Sequence, residues 1–384
     1  MAWTERYVRA DAAGGGDGTT DSNSGANGAY TLAEAMAVTT PNGIRFNVKS
    51  GTYTCDSSAT RSFSQTISAG TACCFRGFNT TIGDLDNETD PTNFPSLDAG
   101  AGHFNLDAAR YWLRNIRFLS NSGTAGIAAL NVFANQGRVH NCRMEMTNNS
   151  RYGFQTNATG DYAILYRSHI IGTTRAVSFS DNAEASCVGC FANGYYGYHH
   201  AAPGTTAFCI AHYSSGGAVG FYTTSNNDFF QNTSYIHGNL GAAGASSGSA
   251  SSIFANNLLV NSETYGIIGH FSHLADNSNL WSIRNTHYNH TSGNTADLPE
   301  DQEWEPTTAS AQPMVDPDNS DYSLNPNGDA IQAAGFGWLD LGIFDYSDAG
   351  AIQSQRITTT ISTIAKVLIQ STVRLYKNIR MIIG

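Results

Sequence analysis

The chain contains very little lysine and few charged residues of either sign. Only three of its 384 residues are lysine (Lys49, Lys366 and Lys377), and charged residues make up 13% of the total. The formal net charge is −11, and the segment 356–384 holds five cations and no acid, so residues 1–355 carry −16. An acidic body with so few cations excludes a nucleic-acid-binding surface.

Three further features are missing. The start, "MAWTERYVRADAAGGGDG", lacks the basic residues and the apolar run of about 7 to 15 residues that form a secretory signal, so we expect folding in a cytosol. No apolar run is long enough to span a membrane. The seven cysteines are scattered and odd in number, which predicts reduced thiols rather than a disulfide framework.

Glycine, by contrast, is abundant, with 39 residues, and Asn, Ser and Thr fill much of the remainder. This composition is typical of many short strands joined by tight turns. Residues 7–54 add a Gly-rich loop and one short helix, because Thr31 and Glu34 form a Thr-x-x-Glu capping box. We predict a helix over 31–37 that caps the end of the fold.

A repeat dominates the middle of the chain. Segments of similar pattern begin at residues 111, 137, 163, 185, 207, 228, 252 and 280. A second column of small residues recurs at a period near 23: Gly153, Ala176, Gly197, Gly220 and Gly266. Two independent columns at one period indicate a structural repeat.

This period, with short β-like segments and Gly or Asn turns, predicts an all-β fold, a right-handed parallel β-helix, from about residue 40 to 350. Leucine-rich repeats share the length but need a leucine ladder, which is missing. We divide the chain into an N-terminal cap with the first strands (1–54), coils (55–295), an acidic connection with a closing segment (296–355), and a separate C-terminal tail (356–384).

Both ends of the chain resemble those of right-handed β-helix proteins in the pectate-lyase-like superfamily. The residues that carry the resemblance are "YV", "GGGDG", "TLAEAMA" and "GTYT" within 7–54, and "VDPDNSDYSLNPNGDAIQAAG" with "DAGAIQ" within 314–353. The resemblance implies the β-helix fold. It implies no single activity, because this fold serves lyases, hydrolases and inert spikes alike, and no catalytic motif of the family is evident.

Four residues have the CxxC…CxxH spacing of a zinc site: Cys187, Cys190, Cys209 and His212. Cys187 and Cys209 are 22 residues apart, as are Cys190 and His212, which is one coil. We therefore expect two stacked columns with buried thiols, and no metal or other cofactor. A zinc site is the alternative, and it would need a turn at Gly189 to gather all four ligands.

Acidic residues are scarce in the coils, and only Asp161 and Glu184 lie one period apart. With Arg167 and Arg175, each 24 residues after another arginine, they are the candidates for a polysaccharide lyase or glycosidase site. The alternative is a salt bridge on a turn. We favour the salt bridge and expect no catalytic residues.

Aromatic residues concentrate between 191 and 235. The candidates for stacking on sugar rings are Tyr195, Tyr196, Tyr198, Phe221 and Tyr222. Aromatic rings also stack on one another inside β-helix coils or fill a subunit interface, and both alternatives stay open.

The C-terminal tail is apolar and basic, unlike the rest of the chain. Apolar residues spaced by four and three positions predict one stripe along a helix, although strands are also possible. The residues expected at an interface are Ile357, Ile361, Ile364, Leu368, Leu375, Arg374, Lys377 and Arg380. We predict a docking or oligomerising tail, and the alternative is a helix folded back on the rod.

A β-helix without a signal and with a distinct tail resembles the virion-surface proteins of tailed bacteriophages. The favoured hypothesis is a structural decoration, fibre or spike protein, made in the host cytoplasm and located on the virion surface. Its expected partners are copies of itself, preferably in a trimer, and a capsid or tail protein. The alternatives are a glycan-cleaving enzyme and a non-catalytic adhesin that binds host polysaccharide.

Overall fold

Strands account for nearly all of the regular structure. The computed structural model describes residues 3–55, 60–86, 88, 91–124, 127–133, 136–148, 152–156, 163–180, 185–213, 219–230, 232–236, 241–246, 252–255, 257–260, 265–268, 280–283, 285–296, 303–304, 307–316, 318 and 321–324. Within these residues there are 35 strands, one α-helix and one 3₁₀ turn, Pro91–Asn93.

The strands form three long sheets. Sheet A has twelve strands: β1 (Thr4–Val8), β2 (Ile44–Lys49), β5 (Cys73–Phe78), β8 (Tyr111–Arg114), β11 (Arg138–His140), β14 (Ala163–Tyr166), β17 (Ala185–Val188), β20 (Gly204–Ala207), β23 (Asn227–Phe230), β26 (Ser252–Ala255), β29 (Leu280–Ile283) and β32 (Glu303–Trp304). Sheet B has eleven: β3 (Thr52–Thr54), β6 (Ser96–Asp98), β9 (Arg117–Ser120), β12 (Arg143–Met146), β15 (His169–Ile171), β18 (Phe191–Asn193), β21 (Ile210–Tyr213), β24 (Thr233–Ile236), β27 (Leu258–Val260), β30 (Thr286–Tyr288) and β33 (Thr307–Thr308). Sheet C has ten: β4 (Arg61–Phe63), β7 (Phe104–Leu106), β10 (Ala128–Val132), β13 (Tyr152–Thr156), β16 (Arg175–Phe179), β19 (Tyr196–His200), β22 (Val219–Thr223), β25 (Ala242–Ser246), β28 (Tyr265–Ile268) and β31 (Gly293–Ala296).

Each coil contributes one strand to each sheet and pairs in parallel with the next coil, so the chain winds into a right-handed parallel β-helix. Val139 pairs with Leu165 in parallel, as the repeat predicts. The predicted fold class is confirmed. Sheet A begins earlier than residue 40, because β1 already pairs with β2. Coil strands continue to Thr308, and the division into four segments stays a prediction.

The bend from sheet A to sheet B is short and regular. From β8 onward, two residues separate each sheet A strand from the sheet B strand that follows. One residue of the bend has the left-handed backbone conformation at Asn115, Asn141, Arg167, Gly189 and Phe208, with φ between 47° and 63°. Asparagine and glycine adopt this conformation most readily, which explains the Gly and Asn turns of the repeat.

The interior is apolar at its N-terminal end and gains buried polar groups toward the C-terminal end. Phe46 stacks on Phe75 with ring centroids 4.6 Å apart. Farther along, three amides form a ladder at the A-to-B bend, in which the Asn232 amide nitrogen donates to Asn257 Oδ1 and that of Asn257 to Asn285 Oδ1, both at 2.9 Å. Each side chain thus satisfies the backbone of the preceding coil.

The column of small residues lies where sheet C faces sheet B. A Cβ atom added to Gly220 would stand 2.0 Å from Ser234 Oγ, and one on Gly197 would stand 2.7 Å from Ala211 Cβ. The close approach of the two sheets therefore requires glycine there. The register of β13, β16, β19 and β22 confirms this column.

The predicted N-terminal helix is present as α1 (Leu32–Ala37). Thr31 Oγ1 accepts from the Glu34 amide at 3.2 Å, and Glu34 Oε2 accepts from the Thr31 amide at 2.8 Å. The capping box is therefore confirmed. Leu32 and Ala35 are buried in the core, while the role of the helix as an end cap stays a prediction.

Toward the C-terminus, β34 (Met314–Asp316) and β35 (Asp321–Leu324) form an antiparallel pair. Met314 packs against the outer face of sheet B beside Ile210 and Tyr235. The C-terminal tail and its predicted interface residues lie outside the described residues. No helix in the described part of the chain is long and apolar enough to cross a membrane.

Candidate functional site

A group of aromatic and polar side chains lies on the outer face of sheet C, where three successive strands place Tyr152, Arg175 and Tyr196 side by side. Burial is partial for all three, whereas the inward neighbours Phe154, Val177 and others form the core. We call the group the sheet C patch, and its members are Tyr152, Arg175, Ser178, Tyr195, Tyr196, His199 and Tyr222.

Arg175 is the centre of the sheet C patch. Its guanidinium carbon stands 5.2 Å from the ring centroid of Tyr152 and 5.8 Å from that of Tyr196. Its Nη1 lies 3.4 Å from Ser178 Oγ and 3.3 Å from His199 Nδ1. Among the described residues, Arg175 forms no ion pair. The side chain is thus held in place by rings and neutral acceptors, and its charge is not compensated by a carboxylate.

His199 supports this arginine in its neutral form. Its ring is 6% exposed and stacks on Tyr222 with centroids 5.2 Å apart. Burial first, and the nearby Arg175 charge second, lower the pKa of His199 to about 3. The imidazole is therefore uncharged near neutral pH, and its Nδ1 can accept the hydrogen bond from Arg175.

Tyr196 joins the two ends of the patch. Its ring centroid lies 5.0 Å from that of Tyr195 and 5.5 Å from that of Tyr222. Burial, followed by the two neighbouring phenols, raises the pKa of Tyr196. The hydroxyl therefore keeps its proton at neutral pH and can donate a hydrogen bond to a ligand.

A polar column continues from the patch along the same face. Asn131 Nδ2 donates to Asn105 Oδ1 at 3.3 Å, and the pairing of successive strands places Gln155 and Ser178 next in the same column. Amides, hydroxyls, aromatic rings and one cation therefore share the outer face of sheet C. Such a set can bind a chain of hydroxylated rings.

The structure separates the predicted sugar-stacking residues into two groups. Tyr195, Tyr196 and Tyr222 belong to the sheet C patch. Tyr198 and Phe221 instead point into the interior, where both are 0% exposed, so the prediction that they contact a glycan is wrong. The reason is the close approach of the sheets at the glycine column, which directs the following side chain inward.

The sequence interpretation missed Tyr152 and Ser178 and gave His199 no role. A signal was available for Tyr152, because Tyr152, Arg175 and Tyr196 each come directly before a member of the small-residue column. Alignment on that column would have placed these three side chains in one row.

The candidate catalytic residues are not assembled in the described part of the chain. Asp161 and Glu184 both lie outside the described residues. Arg167 sits at an A-to-B bend and Arg175 on sheet C, so the two arginines belong to different parts of the coil. Arg143 pairs with His169, not with Arg167, so a stacked ladder of Arg143 and Arg167 is wrong.

The cysteines stack in a register different from the predicted one. Ala185 pairs with Gly204, so this coil has 19 residues instead of 22, and Cys187 lies beside Thr206. Cys190 lies next to Cys209, whose Sγ accepts from the Cys190 amide at 3.4 Å. The two predicted columns are therefore wrong, because one short turn shifts the register by three residues.

Three of the four residues with zinc-ligand spacing nevertheless meet. The sulfur atoms of Cys187, Cys190 and Cys209 lie within 4.8 Å of one another, and Cys187 Sγ is 3.7 Å from Cys209 Sγ. Burial raises the pKa of the Cys187 and Cys190 thiols. His212 lies on the outer face of sheet B, with its ring centroid 6.1 Å from that of Phe191. The prediction that the four hold no metal stays a prediction.

Carboxylates elsewhere on the described outer faces are mostly engaged. On sheet B, Arg117 binds Glu145 through two hydrogen bonds of 2.7 and 3.0 Å, and Arg143 contacts the same carboxylate. On sheet A, burial raises the pKa of Asp228 to about 6. Neither group lies in the sheet C patch.

Comparison with known proteins bears on the fold. The sequence matches no protein-family model and no curated protein. Solved structures do match: a pectate lyase, Pel9A, with a TM-score of 0.58 and 13% identity over 93% of this chain and 94% of that chain. A rhamnogalacturonan lyase matches with a TM-score of 0.51 and 10% identity over 85% of this chain and 94% of that chain. The fold is that of a pectate-lyase-like β-helix. At these identities, the likeness of the β-helix to both lyases extends to the fold alone.

Proposed function

We propose that the chain binds an anionic polysaccharide along the sheet C patch and does not cleave it. The observation that carries this proposal is the position of Arg175 between Tyr152 and Tyr196, with no carboxylate partner among the described residues. A guanidinium held flat by aromatic rings is prepared to bind a carboxylate or sulfate through two hydrogen bonds.

The rest of the patch suits the neutral part of such a ligand. The rings of Tyr196 and Tyr222 offer apolar faces for the C–H side of a sugar. The polar column of Asn105, Asn131 and Gln155 offers donors and acceptors for its hydroxyls. Adjacent coils are about 4.8 Å apart, so a polysaccharide lying along the solenoid axis would meet a new side chain at every coil.

Cleavage is not supported by the patch. General acid and base catalysis on glycans needs carboxylates or another titratable pair near the bond that breaks. The described residues of the patch include no carboxylate, and His199 stays neutral because it is engaged with Arg175. The lyase or glycosidase alternative therefore depends on Asp161 and Glu184.

The test compares an acidic polysaccharide with its carboxyl-reduced counterpart in a titration with purified protein. We expect binding of the acidic form at least about tenfold tighter, since a charged pair formed in a partly buried site is worth about 1.5 to 3 kcal/mol. Arg175→Gln should remove the preference. Arg138→Gln is the matched control, since Arg138 stands 4.9 Å from the Trp112 ring on sheet A.

Equal binding of both polysaccharides, or an equal loss in the Arg138→Gln variant, would refute the proposal. A second assay measures release of reducing or unsaturated ends. Product release that disappears in Asp161→Asn or Glu184→Gln would establish the enzymatic alternative and overturn the non-catalytic part of the proposal.

A location on a virion surface, in an oligomer held by the C-terminal tail, is our second proposal. Its support is the sequence: an apolar, basic segment 356–384 follows a body with a net charge of −16. Removing 356–384 should leave the β-helix folded, as judged by circular dichroism, and abolish assembly in analytical ultracentrifugation. A truncated protein that still assembles and still decorates its particle would place the anchor elsewhere.

A further inference from the structure

Three cysteine side chains from two successive coils converge inside the solenoid, away from the sheet C patch. Cys187 lies on β17, Cys190 on the following bend, and Cys209 on the corresponding bend of the next coil. All three are 0% exposed. We propose that their sulfur atoms form a binding site for one Cu(I) ion.

The distances suit a three-coordinate ion. A metal bonded to three sulfur atoms at about 2.3 Å in a plane requires sulfur separations of about 4 Å. The Sγ atoms of Cys187 and Cys209 are 3.7 Å apart, and all three sulfur atoms lie within 4.8 Å of one another. Small side-chain rotations are therefore sufficient to close the site.

Backbone donors already point at two of the sulfur atoms. The Ser168 amide donates to Cys190 Sγ, and the Cys190 amide donates to Cys209 Sγ, both at 3.4 Å. Such donors stabilise sulfur that carries negative charge, which is the form that binds metals. They come from the stacked bends and so are fixed by the fold.

The identity of the ion follows from the ligand set. Sulfur ligands select soft ions, and Cu(I) accepts three of them. Zinc prefers four ligands, and the fourth candidate, His212, is on the outer face of sheet B. The nearby Tyr198 hydroxyl donates to the Cys190 carbonyl at 2.8 Å. A monovalent ion also costs less to bury than a divalent one.

The test uses the full chain, reduced, unfolded and refolded without oxygen in the presence of Cu(I) held by a chromophoric chelator. Refolding gives the ion access to the buried site. We expect one Cu(I) per chain taken from the chelator, with a thiolate-to-copper absorption band in the ultraviolet. Cys187→Ser should lower the affinity at least about 100-fold. Cys142→Ser is the matched control, because Cys142 is an equally buried cysteine of the same ladder.

Circular dichroism keeps the result interpretable, since it shows whether each variant has refolded. If the folded wild-type chain takes up no more copper than folded Cys187→Ser, the proposal is wrong. One zinc ion per chain with no Cu(I) uptake would also overturn it, because a four-ligand site would then exist. An equal loss of copper in Cys142→Ser would show that binding is not specific to the three thiols.

Discussion

The ring of Tyr198 stacks on the ring of Phe221 inside the solenoid, with centroids 5.2 Å and planes 10° apart. The residues beside them in sequence, Tyr196 and Tyr222, face outward and belong to the sheet C patch. One pair of strands thus contributes aromatic rings to the core and to the candidate binding face. Substitutions on the two faces should have opposite effects.

The Phe221→Ala variant should lose about 3 to 5 kcal/mol of unfolding free energy, because a large buried ring leaves a cavity between coils. Tyr222→Ala should lose less than half as much stability but should weaken binding of the acidic polysaccharide. Urea unfolding and ligand titration measure the two effects. Equal destabilisation by both substitutions would contradict the assignment of faces.

Removing one amide from the Asn ladder should be costly. In Asn257→Ala, the backbone amide of Asn232 loses its acceptor, and the carbonyl of Phe229 loses its donor. Since unpaired buried groups cost about 1 to 3 kcal/mol each, we expect about 2 to 5 kcal/mol of lost unfolding free energy. Asn193→Ala, on the outer face of sheet B, is the control and should change stability by less than about 1 kcal/mol in urea unfolding.

Asp228 should destabilise the fold more as the pH rises. Its pKa in the folded chain is about 6, above its ordinary value, because burial disfavours the carboxylate. The folded state therefore holds the proton more tightly, and stability is lost as the pH rises from about 4 to 6. Asp228→Asn should gain about 1 to 2 kcal/mol over the wild type at pH 7 and nothing at pH 4. A gain of the same size at both pH values, in urea unfolding, would exclude this carboxylate as the cause.

Buried histidines should make the fold sensitive to acid. Burial lowers the pKa to about 3 in each of His140, His169, His199, His200 and His287. The unfolded chain takes up protons near pH 6.5 and the folded chain does not, so stability present above pH 6.5 is lost as the pH falls toward 3. We expect up to about 2 kcal/mol per histidine between pH 6.5 and 5, measured by urea unfolding. Histidine NMR resonances of the folded chain that titrate near pH 6.5 would contradict this.

The sequence was sufficient to predict the fold because its signals are local or periodic. The capping box of Thr31 and Glu34 needs only neighbouring residues. The column of Gly153, Gly197 and Gly220 recurs because two sheets approach closely in every coil. Neither signal depends on how the chain folds elsewhere.

The candidate site was only partly predictable, because register and direction are set by contacts between coils. The 19-residue coil from Ala185 to Gly204 shifts every later alignment by three residues, and nothing in the local sequence marks it. Strict alternation also fails on β19, where Gly197 and Tyr198 both face the interior. Tyr196 and Tyr198 therefore point to opposite sides although they are two residues apart.

The constant two-residue bend between sheets A and B makes the solenoid a modular scaffold. From β8 onward, coil length varies only in the two other turns, which range from 3 residues between β19 and β20 to 11 between β28 and β29. Insertions at the C-to-A turns should therefore be absorbed without a change of register in the strands that follow. Foreign peptides placed in successive C-to-A turns would be displayed in a row, at a spacing of about 4.8 Å fixed by strand pairing.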